Sequence, residues 1–226
     1  MLFGHIAVGL AAKPLAPKAS LGALLLSATA IDVLSGVFAI TGIEFRVPSG
    51  AASIPWSHGL FMTMVWAIAG CAVAYLLSRD RRTSIVIGLV VFSHWVLDFI
   101  SHPTGLGLDM PPDLPLLFEG SPKVGLGLYR SLAVALIVDL GLFAGGILIY
   151  LVSTKAQDRT GRWAVWLMVL AIVVLGVLAA LPQLTPYPTP GLVLLLPLGN
   201  WVDRHRSLVR REPGSTPPLP PLCQEN

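Results

Sequence analysis

The chain has 226 residues, 54% of them hydrophobic and only 12% charged, with a mean hydropathy of +0.76. That balance excludes a soluble globular domain and marks an integral membrane protein with room for about six spans of roughly 20 residues each. The net charge of +3 reports loop orientation in such a protein, and nothing in the sequence resembles a nucleic-acid-binding pattern.

The opening MLFGHIAVGLAA lacks a basic n-region and a cleavage site, so it is expected to stay in the mature chain. Residues 2–12 are apolar but reach only about 16 Å as a helix, too short to cross the hydrocarbon. They predict a short inserted or interfacial helix. Apolar runs then predict spans near 20–42, 56–78, 83–101, 128–152 and 163–182, with a shorter one at 188–203 interrupted by Pro190 and Pro197. The expected architecture is all-α: a polytopic bundle of about five to six transmembrane helices plus the short N-terminal helix. It occupies residues 1–204 as one domain, followed by a disordered cytoplasmic tail at 205–226.

Twelve of the fifteen Lys and Arg fall on one set of sides in this arrangement, and only Arg46, Lys123 and Arg130 on the other. The positive-inside bias makes the basic side cytoplasmic. The C-terminus is then inside, and the loops 43–55 and 102–127 lie on the far face of a bacterial cytoplasmic membrane. The second of these loops is dense in Pro and Gly, predicting irregular backbone. Its GLGL at 105–108 recurs at 125–128, and turn-making is the simpler reading of both. Cys71 and Cys223 have no metal-ligand spacing. Trp56, Trp163 and Trp201 sit at span ends, as interfacial anchors do.

Three carboxylates interrupt the spans: Asp32, Asp98 and Asp139. Left unpaired at helix centres, three aspartates cost roughly 8–10 kcal/mol on insertion scales. They must therefore be interfacial, protonated, or compensated by one another, a cofactor or water. The stretch SHWVLDFISH at 93–102 places His94 and Asp98 one turn apart on one face, the spacing of a metal-ligand pair. His102 continues the row, although Pro103 disfavours helical geometry there. Counting from flanking basic residues puts His94 about 18 Å and Asp98 about 24 Å above Arg82, Asp32 about 21 Å from Lys18 and His5 about 12 Å from Lys13. With His58 at the outer end of its own span, these groups can meet in the outer half of the bilayer. Neutral imidazoles and ionised carboxylates are what a divalent ion takes, and zinc is the best match. His5, Asp32, His58, His94 and Asp98 are the candidate ligands; Asp32 and His102 are the candidate catalytic groups. Interhelical hydrogen bonding between His94 and Asp98 is the structural alternative. Asp139 is left between joining the site and packing as a protonated acid, and Glu119 between a base and a solvated loop acid.

The set Gly4-His5, Asp32, Ser57-His58 and SHxxxDxxxHP at 93–103 resembles the YdjM-like family of membrane-bound, metal-dependent hydrolases, over about the first 105 residues. That resemblance implies divalent metal binding and hydrolysis of an ester or phosphoester. The family's HRGxTHS corresponds here to SIPWSHG, without the first His and the Arg, and its DxDH to IDVLS. The expected function is hydrolysis by metal-activated water at the outer half of the bilayer, with membrane lipids as surroundings and a lipid-linked or other amphiphilic ester as substrate. A small transporter or ion-binding permease and a noncatalytic membrane scaffold are the competing expectations.

Overall fold

A computed structural model describes residues 1–44, 54–103, 111–179 and 189–209. Among the described residues the chain is a helical bundle. Its helices are α1 (Leu2–Ala11), α2 (Leu21–Ala28), α3 (Ala30–Thr41), α4 (Leu60–Ser78), α5 (Arg81–Ser101), α6 (Leu132–Ser153), α7 (Arg159–Ala179) and α8 (Leu195–Arg204). Two minimal antiparallel ladders join connecting segments: β1 (Leu114–Pro115) with β2 (Lys123–Val124), and β3 (Thr154–Ala156) with β4 (Arg206–Leu208).

Helices α4 to α7 are each long and apolar enough to cross a membrane, and most of their surface remains uncovered by protein. Leu77 (81% exposed) and Ile137 (73%) are typical of that surface. An apolar face of this extent is stable only against hydrocarbon. These four helices and the bent pair α2–α3 account for the five longest predicted spans. The expected sixth segment, at 188–203, is not one continuous α-helix among the described residues. A 3₁₀ turn (Thr189–Leu194) leads into the ten-residue α8, about 15 Å long. Its polar end, GNWVDR, carries Asp203 back to the start of α2.

The first helix is inserted rather than interfacial. Ile6 and Leu10 are buried in the main core with Leu21, Leu25, Phe143, Tyr150 and Ile172, so α1 forms the centre around which α2, α5 and α6 pack. Close approach of α2 and α8 requires glycine on both sides. A Cβ on Gly22 would fall 2.1 Å from the Leu196 carbonyl oxygen, and one on Gly199 would fall 2.6 Å from Gly22 Cα.

The predicted 20–42 span is broken. Its halves meet at 57° at Thr29, whose φ/ψ of −107°/8° departs from helix. The Thr29 hydroxyl donates to the Leu25 carbonyl at 3.1 Å, a back-bond that competes with the helical ladder and bends it. The Ala28 carbonyl therefore lies at a helix end.

Ion pairs close the basic end of the bundle. Lys13, itself buried, donates to Asp203 at 2.6 Å, and the same oxygen accepts the Leu21 N–H at 2.7 Å. Lys18 reaches Asp80 at 2.7 Å, and Asp80 also caps α5 by accepting the Thr83 N–H at 2.9 Å. These two contacts hold the Asp80 carboxyl below its usual range. Asp158 is likewise held low, first by the hydrogen bond from His205 (2.7 Å) and then by the Gly161 N–H (2.6 Å). Because β4 pairs with Thr154–Ala156, regular structure extends past the boundary expected at 204. Residues 210–226 of the expected tail lie outside the described residues, as does the first GLGL, at 105–108. The second GLGL contains two positive-φ residues, Gly125 and Gly127, and so makes a turn.

Candidate metal centre

Four helix ends converge on one point. His5 lies in the first turn of α1, Asp32 follows the break at the start of α3, His58 immediately precedes α4, and His94 and Asp98 occupy the last turns of α5. The five candidate ligands named from sequence are thus brought together from four elements. The ligand atoms of His5, His94 and Asp98 lie within 4.8 Å of one another, as do those of Asp32, His58 and His94.

The hydrogen bonds decide which ring nitrogens are available. His94 Nδ1 faces the Ala28 carbonyl at 3.0 Å, an acceptor only, so Nδ1 carries the proton and Nε2 presents a lone pair. The break at Thr29 thus has a consequence one helix away. His58 Nδ1 lies 2.8 Å from Ser57 Oγ, and the Ser57 hydroxyl donates its one proton to Glu44 Oε2 at 2.7 Å. His58 Nδ1 must then be the donor to Ser57, leaving its Nε2 lone pair free.

Both lone pairs face carboxylates. His94 Nε2 is 3.2 Å from Asp98 Oδ2 and 3.6 Å from Asp32 Oδ1. His58 Nε2 is 3.5 Å and 3.6 Å from the same two oxygens. A small divalent cation in tetrahedral coordination, with bonds of roughly 2.0–2.2 Å, separates its ligand atoms by roughly 3.3–3.6 Å. The donor set fits such an ion. His94 Nε2 is buried and has no hydrogen-bond partner, although Asp98 Oδ2 lies only 3.2 Å away. That geometry suits a ligand sharing a cation with the carboxylates better than an imidazolium donating to one of them. Since His94 has only Nε2 to offer, the two overlapping groups of ligand atoms describe one position and not two.

His5 contacts the other side of Asp98. Its Nε2 is 3.1 Å from Asp98 Oδ1, and its ring stacks on His94 with centroids 3.7 Å apart and planes 8° from parallel. The Met1 backbone nitrogen is 3.6 Å from the same oxygen. Asp32 is the open side of the cluster. Its side chain is 24% exposed, against 9% for His58, 4% for Asp98, 2% for His5 and 0% for His94.

His102 caps α5 and stands beside the cluster, its ring centroid 6.4 Å from that of His58. Its Nδ1–H donates to Asp113 Oδ1 at 2.9 Å. The segment bearing Asp113 is folded back by bonds from Leu126 N–H to the Phe99 carbonyl (2.8 Å) and from Gly127 N–H to the His102 carbonyl (2.7 Å). Gly125 makes this approach possible: with φ of +153°, its Cβ would sit 2.3 Å from the His102 carbonyl oxygen.

Asp139 joins no ligand group. It accepts the Gly4 N–H at 2.6 Å and the Tyr129 hydroxyl at 3.1 Å, satisfying a free donor at the positive end of α1. Asp139 therefore anchors the helix that carries His5. Burial, then the Asp139 charge, pushes the Tyr129 phenol above its ordinary range, so it remains a donor. Glu119 is solvent-exposed.

Sequence reasoning missed Glu44, Ser57 as more than a neighbour of His58, Asp113 and the Ala28 carbonyl. The adjacent Ser57-His58 pair was the one local signal. The others depend on contacts between segments and leave no spacing to detect. No family model matches the chain, and no curated protein or solved structure matches it.

Proposed function

We propose that this protein is a metal-dependent hydrolase of the bacterial cytoplasmic membrane, cleaving an ester or phosphoester of a lipid-linked or similarly amphiphilic substrate in the outer half of the bilayer. The observation that carries the metal assignment is the convergence of two imidazole lone pairs on two carboxylate oxygens at 3.2–3.6 Å. Two imidazole nitrogens and one carboxylate oxygen, with a position left for water, favour zinc. The likeness to YdjM-like hydrolases supports the reaction class. The position of the cluster, at the outer ends of α4 and α5 when the basic turn between them is cytoplasmic, supports a substrate that enters from the lipid.

In this reading His58 Nε2, His94 Nε2 and Asp98 Oδ2 hold the ion. His5 donates to Asp98 Oδ1 and fixes that carboxylate, the role its 3.1 Å contact favours over that of a fifth ligand. When bound, the ion supplies Lewis-acid polarisation of the scissile group and makes water more acidic. Asp32 lines the exposed side, where water reaches the cluster, and Oδ1 takes the proton from that water. His102, with Nδ1–H held by Asp113, acts as the doubly protonated ring and gives its Nε2 proton to the leaving oxygen, returning to the neutral Nδ1–H form. His94 and Asp98 are themselves almost fully buried, which keeps bulk water to the Asp32 side.

The test is elemental analysis of detergent-purified protein together with a panel of phosphoesters and carboxylic esters. Wild type is expected to retain about one equivalent of zinc, and His94→Ala and Asp98→Ala to lose it while remaining inserted in the membrane. Unchanged metal content in both variants refutes the centre. Bound metal without turnover on any ester favours the scaffold instead.

A further inference from the structure

Glu44 offers no atom to the ion position, yet it is only 3% exposed and its carboxylate accepts hydrogen bonds from the two residues before His58. Oε1 accepts the backbone N–H groups of Trp56 and Ser57, each at 2.8 Å, and Oε2 accepts the Ser57 hydroxyl at 2.7 Å. A serine hydroxyl has one proton to give. With that proton on Glu44, Ser57 Oγ meets His58 Nδ1 at 2.8 Å as an acceptor, and the ring proton is confined to Nδ1.

We infer that Glu44 is a positioning residue which, acting through Ser57, holds His58 in the one tautomer whose Nε2 can bind a cation. This deepens the metal-centre reading and rests on His58 being a ligand. The contrast with His94 shows why the carboxylate matters. A backbone carbonyl fixes the His94 tautomer and cannot reverse its polarity, whereas a serine hydroxyl can rotate and donate toward the ring. Glu44 removes that freedom by taking the hydroxyl proton itself.

The arrangement makes a near-isosteric substitution informative. In Glu44→Gln the side-chain oxygen is required by the two backbone N–H groups, which turns the amide NH₂ toward Ser57 Oγ. The Ser57 hydroxyl then donates to His58 Nδ1, the ring proton moves to Nε2, and the lone pair facing Asp32 and Asp98 is lost. Shape and packing are preserved while the polarity of the chain of hydrogen bonds is inverted.

The experiment is side-chain ¹⁵N NMR of the histidines in the full-length, metal-free protein in detergent, at a pH of about 8 where an ordinary imidazole is neutral, paired with zinc titration. Wild-type His58 is expected as the Nδ1–H form and the Glu44→Gln variant as the Nε2–H form, with His94 unchanged in both as an internal control. Zinc affinity is expected to fall about 10–100-fold in Glu44→Gln and in Ser57→Ala, whereas Ser57→Thr, which keeps the hydroxyl, stays within a few-fold of wild type. An Nδ1–H signal retained in Glu44→Gln overturns the inference. If Glu44→Gln does not fold, equal zinc affinity in Ser57→Ala and Ser57→Thr overturns it as well. If the tautomer inverts in Glu44→Gln as expected but the wild type takes up no zinc, the Glu44 relay stands and the metal centre alone is refuted.

Discussion

Asp98 is the residue on which the cluster turns. Three imidazoles approach its two oxygens, His5 at 3.1 Å, His94 at 3.2 Å and His58 at 3.5 Å, whereas Asp32 is approached by two, both at 3.6 Å, from a more exposed position. The two acids should therefore separate experimentally. Asp98→Asn is expected to lower zinc affinity by at least about 10–100-fold, since it removes charge from the better-buried of the two carboxylates and upsets three neighbours at once. Asp32→Asn is expected to keep most of the metal and to lose turnover on whichever ester proves to be cleaved. Equal metal loss in both variants, measured by elemental analysis, would show Asp32 to be an equivalent ligand rather than the proton acceptor. The His94–Asp98 pair was legible in sequence because four-residue spacing on a helix is a geometric statement in itself. The tautomer of His94 was not, because it depends on a carbonyl sixty-six positions away.

At the scale of elements, the site is assembled from helix ends, and each end is there for a local reason. Thr29 breaks the α2–α3 span and turns Asp32 toward α5. Asp139 secures the start of α1 through Gly4 and so sets the depth of His5. The β1–β2 segment folds back over the end of α5 and brings Asp113 to His102. The α2–α8 contact supports the first of these from below, and it has no space to spare. Gly22→Ala forces a methyl group against the backbone carbonyl of Leu196, and overpacking of this kind costs about 1–3 kcal/mol. The expected outcome is a lowered unfolding midpoint in detergent. Gly141→Ala is the control: it lies within α6 with nothing within 4 Å of the added carbon, so its midpoint is expected to stay equal or rise slightly. If the two substitutions behave alike, the α2–α8 approach is looser than described.

At the scale of the whole molecule, the distribution of Lys and Arg and the helix order agree on which end of the bundle is basic. The turn between α4 and α5 and the segment joining α6 to α7 lie at the basic end, and the β1–β2 segment lies at the end that holds the cluster. With Cys71 and Cys223 replaced by serine, Gln157→Cys is expected to react with a membrane-impermeant maleimide only after cells are opened, and Glu119→Cys to react in intact cells. The reverse pattern would invert the orientation and place the cluster in the inner half of the bilayer. What the sequence determined by itself was the set of apolar runs long enough to span, which of their ends carry the Lys and Arg, and the residue types that a span tolerates only when compensated. Those follow from chain-local quantities: length against bilayer thickness, the distribution of Lys and Arg, and the cost of moving a carboxylate out of water. Tertiary structure alone decided that α1 is the buried centre of the bundle, that the segment ending in α8 returns to the basic end through a 3₁₀ turn and a short helix, that Asp139 anchors a helix, and that Glu44, Ser57 and Asp113 serve histidines. Each of these depends on which donor meets which acceptor across segments distant in the chain, and hydrogen-bond direction has no counterpart in residue spacing.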